Sequence, residues 1–413
     1  MSGGAKSPVV VRLKKPVERS VAHGHPWIFR DALEHFEAEP GTVVTVLDRR
    51  GKFLARGLAE GGPIGVRVWS RRDRPLDEEL LRARVAEALA LRARHAPPET
   101  DALRLIHGEG DRMPGFVLDR YGDAAVLRLD GQAAARWRTR VIAALIPALE
   151  AEGVSTLLVR RGGKAAQRNR GAAAGGPGTG QRSIKVELAA GTLPTELLEV
   201  REHGMRLPVD LLEGQKTGLF LDHRDSRFAA RAWAAGQRVL NLYGYTGGFS
   251  ISAGLGGASH VTTVDVAPRA IALAEEGWRR NGLDPALHAG EAVDAESFLE
   301  RARSDRRRWD LVISDPPSFA PSEASKPAAL KAYKALHRAC LEVVAPGGRL
   351  LAASCSSHVH RPDFEQTLRE AGHGARRHVQ VLARWGAGFD HPVPLGFPEG
   401  EYLTVTLCRV LDP

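Results

Sequence analysis

Three short stretches in the C-terminal half hold the residues best suited to chemistry. They are Asn241-Leu242-Tyr243-Gly244-Tyr245-Thr246-Gly247-Gly248, Asp315-Pro316-Pro317-Ser318-Phe319 and Ser354-Cys355-Ser356, and each follows a run of small apolar and β-branched residues. Two prolines cannot continue a central strand, so the chain must leave its sheet at Asp315 and aim that carboxylate outward. Cys355 would stand at a neighbouring strand end. A free thiol with a pKa near 8.5 is only a few per cent ionised at pH 7, and the thiolate is the nucleophile. Lowering that pKa by two units takes about 2.7 kcal/mol, to which Ser354, Ser356 and backbone N–H groups could contribute. Cys340, inside "ALHRACLEVV", and Cys408, inside "LTVTLCRV", read as packed core thiols.

The glycine-rich turn follows a strand and opens a helix. Gly244, Gly247 and Gly248 would let the backbone turn sharply and approach a ligand. Asp265 ends the next strand about twenty residues on, where an acid can hold ribose hydroxyls. The GxGxxG pattern is absent, which points to an adenosine cofactor without phosphates, S-adenosylmethionine. Asp294, after a third strand, would meet the adenine amine, with Glu291 as the competing assignment. His223, His358 and His391 are candidate site residues, each better described as a solvated or core histidine.

These residues need a doubly wound α/β sheet to position them, and the sequence supplies its grammar from about residue 200. "QRVLNLY" (237–243), "HVTTVDV" (260–266), "WDLVISD" (309–315) and "GGRLLAASC" (347–355) read as buried parallel strands. Helical stretches near 225–234, 249–256, 268–281, 295–307 and 327–345 separate them. Such sheets bind ligands at the carboxyl ends of their strands. Residues 8–75 read differently, as a small β-rich module with a turn at "DRRGK". The run 77–95 forms an amphipathic helix with acids first and arginines last. Strand-like runs and a helix near 132–150 then make a small central α+β domain. The segment 161–182 carries Arg161, Lys164, Arg168, Arg170 and Arg182 and no acid. It has almost nothing to bury and reads as a basic, mobile insertion. The expected domains are 1–75, 76–200 and 201–413.

Composition narrows the function classes. The chain has 413 residues and a formal net charge of +9. Residues 1–75 alone hold 14 Lys/Arg against 8 Asp/Glu, which suggests a polyanion-binding module on a near-neutral catalytic body. No apolar run could span a bilayer and the N-terminus lacks a signal-peptide core, so a cytoplasmic location is expected. The three cysteines are odd in number and far apart, with no CxxC and no zinc spacing, so neither a disulfide framework nor a metal is expected.

With these residues assembled, the chain resembles the PUA-domain-containing class I family of 23S ribosomal RNA cytosine-5 methyltransferases, the large-subunit methyltransferase I type. "HPWIF" (25–29), "GKFLARGLAEGGPIGVRVW" (51–69) and "LIHGEGDRMPGFVLDRYG" (105–122) look like its PUA and central domains. "EHGMRLPVDLLEGQKTGLFLDHRDSR" (202–227), "YTGGF" (245–249), "DPPSF" (315–319), "SCS" (354–356) and "HPVPLGFPEGEYL" (391–403) look like its Rossmann-like methyltransferase domain. The resemblance implies Cys355 as nucleophile and Asp315 as its catalytic neighbour. It implies Lys216, Thr217, Phe220, Asp222, Tyr243, Thr246, Gly247, Gly248 and Asp265 beside the cofactor. The implied partner is 23S rRNA, free or in a large-subunit precursor, and a homodimer is compatible with it. Two other readings stay open: a non-covalent methyltransferase acting on guanine N7 or an exocyclic amine, and a non-catalytic RNA-binding assembly factor.

Overall fold

The computed structural model describes residues 9–161 and 186–412. The basic stretch expected at 161–182 lies, past Arg161, outside the described residues. Strands β1 (Val9–Arg12), β2 (Trp27–Phe29), β3 (Val43–Leu47), β4 (Phe53–Ala59) and β5 (Ile64–Ser70) form one sheet in the order β1-β3-β4-β5-β2. Val11, Val44, Val46 and Val66 fill its core. The "DRRGK" turn joins β3 to β4: Asp48 Oδ1 accepts from the backbone of Arg50 and Lys52 at 2.8 Å each. Gly51 takes φ +82° there, a conformation open to glycine.

The helix Glu78–His95 starts where expected, with the Asp77 side chain accepting from Leu80 N. Its arginines are not all placed for the helix dipole. Arg84 and Arg92 turn inward and are buried. Arg84 donates to the carbonyls of Trp69 and Arg112, which ties the end of β5 to the Arg112 loop. Arg92 makes a bidentate pair with Asp111 at 2.6 and 2.8 Å.

A second sheet runs β10-β9-β8-β7-β6 and contains β6 (Ala102–His107), β7 (Phe116–Tyr121), β8 (Ala124–Leu129), β9 (Thr156–Arg161) and β10 (Val186–Ala190). The helix Gln132–Ala151 is the crossover between the parallel pair β8 and β9. Helices cover one face of this sheet. The other face receives a hairpin, β11 (Leu198–Glu202) and β12 (Met205–Val209), whose Val200, Leu207 and Val209 pack on Tyr121, Val126 and Leu158. The boundary expected at 200/201 therefore falls inside β11.

The third sheet has β13 (Arg238–Leu242), β14 (His260–Asp265), β15 (His288–Ala292), β16 (Trp309–Ser314), β17 (Val344–Ser354), β18 (His378–Trp385) and β19 (Thr404–Leu411). Its order is β15-β14-β13-β16-β17-β19-β18. The first five are parallel, and β19 runs antiparallel to both β17 and β18. Chain order reverses direction at β13, which makes the gap between β13 and β16 the switch point where such sheets bind ligands. Phe298, Tyr333 and Phe364 pack on one face, while Ala230, Phe249 and Trp278 pack on the other. Among the described residues no helix is long and apolar enough to cross a membrane.

One buried carboxylate joins the second and third sheets. Asp390, in the loop between β18 and β19, accepts from Arg224 at 2.7 and 2.9 Å, from the backbone N–H of Arg104 at 3.0 Å, and from His391 Nδ1 at 2.9 Å. Its carbonyl accepts from Arg92 at 2.7 Å. Burial opposes its ionisation, but His391 and Arg224 hold its carboxyl far below the usual range. A folded pKa below the unfolded value of about 3.9 stabilises the fold above that pH and is lost as pH falls below it. Asp390→Asn should cost about 3–5 kcal/mol at neutral pH, because it removes the bidentate partner of buried Arg224 and leaves it only the half-exposed Asp225 at 3.3 Å. Melting curves from pH 7 to pH 2 should converge for the two proteins on the acid side; parallel curves would contradict this.

Candidate active site

The carboxyl ends of β13, β14, β16 and β17 open onto a cavity of about 220 Å3. Tyr243, Thr246 and Gly248 come from the turn after β13, Asp265 from the end of β14, Asp315 and Pro316 from beyond β16, and Cys355 from beyond β17. The fourth wall is the loop after β12, which brings Lys216, Phe220, Asp222 and His223. Three of the residues expected here are placed otherwise. Thr217 is buried with its hydroxyl bonded to Asp119 and Tyr121 of the second sheet, at 2.6 and 2.9 Å. Gly247, at φ +77°, packs against the helix Pro268–Arg280: a Cβ there would stand 2.5 Å from that of Ala274, so its missing side chain serves packing. Asp294 does not line the cavity, because its Oδ1 caps the helix Ala295–Ser304 by accepting from Glu296 N and Ser297 N at 3.0 Å each. Glu291, its competitor, pairs with Arg301 and Arg307 instead.

On the β14 side, Asp265 accepts from the backbone of Tyr245 and Ala267 at 2.8 and 2.9 Å. Two oxygens fixed this way keep further lone pairs for donors such as ribose hydroxyls. The opposite wall is shaped from outside. Arg160, from β9, donates to the carbonyls of Leu211, Gly214 and Lys216 at 2.5–2.8 Å. Lys216 is held in the left-handed region at φ +51°. Its Nζ lies 3.2 Å from Asp222 Oδ2 and 4.2 Å from the Phe220 ring centroid. Burial would raise the Asp222 carboxyl, yet Lys216, His223, His391 and the Tyr402 hydroxyl keep it well below the usual range. Tyr402 donates to it at 2.7 Å, while Asp222 Oδ1 is buried without a partner. That orphaned acceptor suits a ligand carrying a donor.

On the β16–β17 side, Cys355 Sγ contacts the carbonyl of Pro316 at 4.0 Å. Burial first, then the Asp315 charge, push the thiol up to about 11, with Lys216 acting the other way. The serines expected to favour the thiolate do not bond to it. Ser354 Oγ pairs with the Tyr333 hydroxyl at 2.9 Å, and Ser356 Oγ pairs with Ser318 and Tyr333 at 2.9 and 3.2 Å. They fix the strand end and the Pro317–Phe319 turn. His223, which the sequence favours as a solvated or core histidine, lines the cavity: its Nε2 lies 3.2 Å from Asp315 Oδ2. Its adjacency to Asp222 in "LFLDHR" was the signal available. His391 is buried beside Asp390 and His358 is half-exposed beside Glu323; neither lines the cavity. Among the described residues, no group of three or more His, Cys, Asp or Glu could hold a metal ion.

A doubly wound sheet with an acid at the end of its second strand and a cavity at its switch point fits a class I methyltransferase, and the comparisons show that class. Residues 181–382 match the family "S-adenosylmethionine-dependent methyltransferase" and residues 11–71 the family "PUA-like domain". Ribosomal RNA large subunit methyltransferase I of Salmonella arizonae is 37% identical over 407 residues, covering 97% of each chain. Its counterpart from Erwinia tasmaniensis is 35% identical over 404 residues, covering 97% of this chain and 98% of that one. A proposed SAM-dependent methyltransferase from Streptococcus mutans shares the fold at TM-score 0.83 and 22% identity, covering 97% of this chain and 100% of that one. A similar structure complexed with SAH has the same score, covering 98% and 100%. This chain belongs to the ribosomal RNA large subunit methyltransferase I family, and its cofactor is S-adenosylmethionine.

The raised thiol gives a direct prediction. In the protein without ligands, alkylation of Cys355 by iodoacetamide should be slow at pH 7–8 and climb toward about pH 11. Peptide mass spectrometry reads this site separately from Cys340 and Cys408, both buried and pushed up to about 12. A half-maximal rate near pH 7 would contradict it.

Proposed function

We propose that this protein methylates C5 of a cytosine in 23S rRNA through a covalent adduct between Cys355 and C6 of the base. The observation that carries the reading is Cys355 lining one cavity with Asp315 and Asp222. Its support from outside is the name shared by the relatives, ribosomal RNA large subunit methyltransferase I. A cytosine carbon at position 5 is too weak a nucleophile to be methylated directly. Bonding of sulfur to C6 makes C5 enamine-like, which is a task a nitrogen target would not set. The Asp315 carboxylate takes the thiol proton and passes it to N3 as the S–C6 bond forms. When bound, S-adenosylmethionine supplies an electrophilic methyl group and a positive charge that favours the thiolate.

The remaining residues bind and orient. Asp265 accepts from the ribose hydroxyls, and the unpaired Asp222 oxygen accepts from a donor on the methionine moiety. Lys216, Phe220, Tyr243, Thr246 and Gly248 shape the walls. Gly247, Thr217 and Asp294 act indirectly, through packing, through contacts with Asp119 and Tyr121, and through a helix cap. The target base has to leave its stack to reach a cavity of this size. The PUA-like residues 11–71 give affinity for the RNA backbone, and an rRNA substrate places the protein in the cytoplasm. Residues 1–75 serve RNA binding, the second sheet with its β11–β12 hairpin gives support, and the third sheet carries catalysis.

Cys355→Ala should bind S-adenosylmethionine and 23S rRNA as the unaltered protein does and form no methylated product. Filter binding, calorimetry and methyl incorporation measure the three separately. Full incorporation by Cys355→Ala would end the covalent reading.

A further inference from the structure

Covalent methylation at C5 leaves one proton without an assigned acceptor. Once C5 carries the methyl group it still holds its original hydrogen. A base must remove that hydrogen so that the C–H electron pair forms the C5=C6 bond and the C6–S pair returns to sulfur as thiolate. N3 then gives its proton back to the thiolate, so the net proton released is the one from C5.

One pair in the cavity fits the task. Asp315 has handed its proton to N3 by this stage and is a carboxylate again. His223 Nε2 lies 3.2 Å from its Oδ2, and His223 is the one side chain paired with Asp315 by charge among the described residues. The imidazole is 2% exposed, and its ring meets Phe249 edge-on with centroids 5.6 Å apart, so it is packed in place. Nε2 is the ring nitrogen that faces the carboxylate, within ion-pair distance of it, while Nδ1 is buried with no partner. A packed ring held against one oxygen sets the direction of the other, and a base off by an ångström loses much of its rate.

We propose that Asp315 is the base that removes the C5 proton and resolves the covalent adduct, with His223 as the positioning residue that holds its carboxylate toward the base. This rests on the cytosine-5 reading above. Without His223 beside it, Asp315 serves both steps less well, but sulfur addition is also favoured by the cofactor's positive charge, so release is slowed most. The adduct should then accumulate.

The test compares His223→Leu, which fills the space without a donor, with His223→Gln, whose amide can still donate to Asp315. Each is incubated with S-adenosylmethionine and 23S rRNA. Denaturing gels measure protein–RNA adduct, and nucleoside mass spectrometry measures 5-methylcytidine. His223→Leu should accumulate adduct on the order of ten-fold or more above the unaltered protein, abolished by adding Cys355→Ala, while His223→Gln stays near it. Should His223→Leu melt early, His223→Ala takes its place. Production of 5-methylcytidine by the leucine variant with no excess adduct, or equal adduct in the leucine and glutamine variants, would overturn the role of His223. No 5-methylcytidine from the unaltered protein would overturn the cytosine reading itself.

Discussion

A buried charge has to be paired, and Asp390 is the buried charge on which this architecture turns. It is wholly inaccessible and collects Arg224, His391 and the Arg104 backbone around one carboxylate, with Arg92 on its carbonyl. Arg224 immediately follows Asp222 and His223, so anchoring it fixes the loop that closes the cavity. Arg104 sits on β6 and Arg92 on the preceding helix. One group therefore locks the catalytic sheet, the second sheet and the cavity loop into one register. Removing any single partner leaves the others desolvated and unmatched, which is why such a node tolerates little change.

The second sheet is thus part of the active-site construction. Arg160 grips three carbonyls of the cavity loop. Asp119 and Tyr121 hold Thr217 from beneath. The backbone cost of keeping Lys216 at φ +51° is borne by these contacts. In return, Lys216 faces Asp222, and its charge reaches the Cys355 thiol. Burial and the Asp315 charge outweigh it and push that thiol up to about 11.

Much of this was legible in the sequence because local rules decide it. β-branched runs fix the strands, double proline fixes the exit at Asp315, and a glycine turn after a strand fixes the cavity floor. Cys355 could be singled out from Cys340 and Cys408 by position alone. What escaped the sequence were pairings across long separations. Asp390 and Arg104 are 286 residues apart, and Tyr402 and Asp222 are 180 apart. No periodicity links such residues. Arg92 read as one of the helix-end cations because burial of an arginine is settled by a partner elsewhere. His223 looked ordinary for the same reason. Thr217, Gly247 and Asp294 were drawn to the cofactor by motif, while their side chains, or the lack of one, answer to packing, a helix cap and a neighbouring sheet.

The central claim is that the methyl group ends on carbon 5 of a cytosine, and the modified nucleoside tests it most directly. Unmodified 23S rRNA would be incubated with the purified protein and S-adenosylmethionine, digested to nucleosides and analysed by mass spectrometry. The account predicts 5-methylcytidine. A methylated guanosine would contradict it and would leave Cys355 as a packed thiol beside a non-covalent active site.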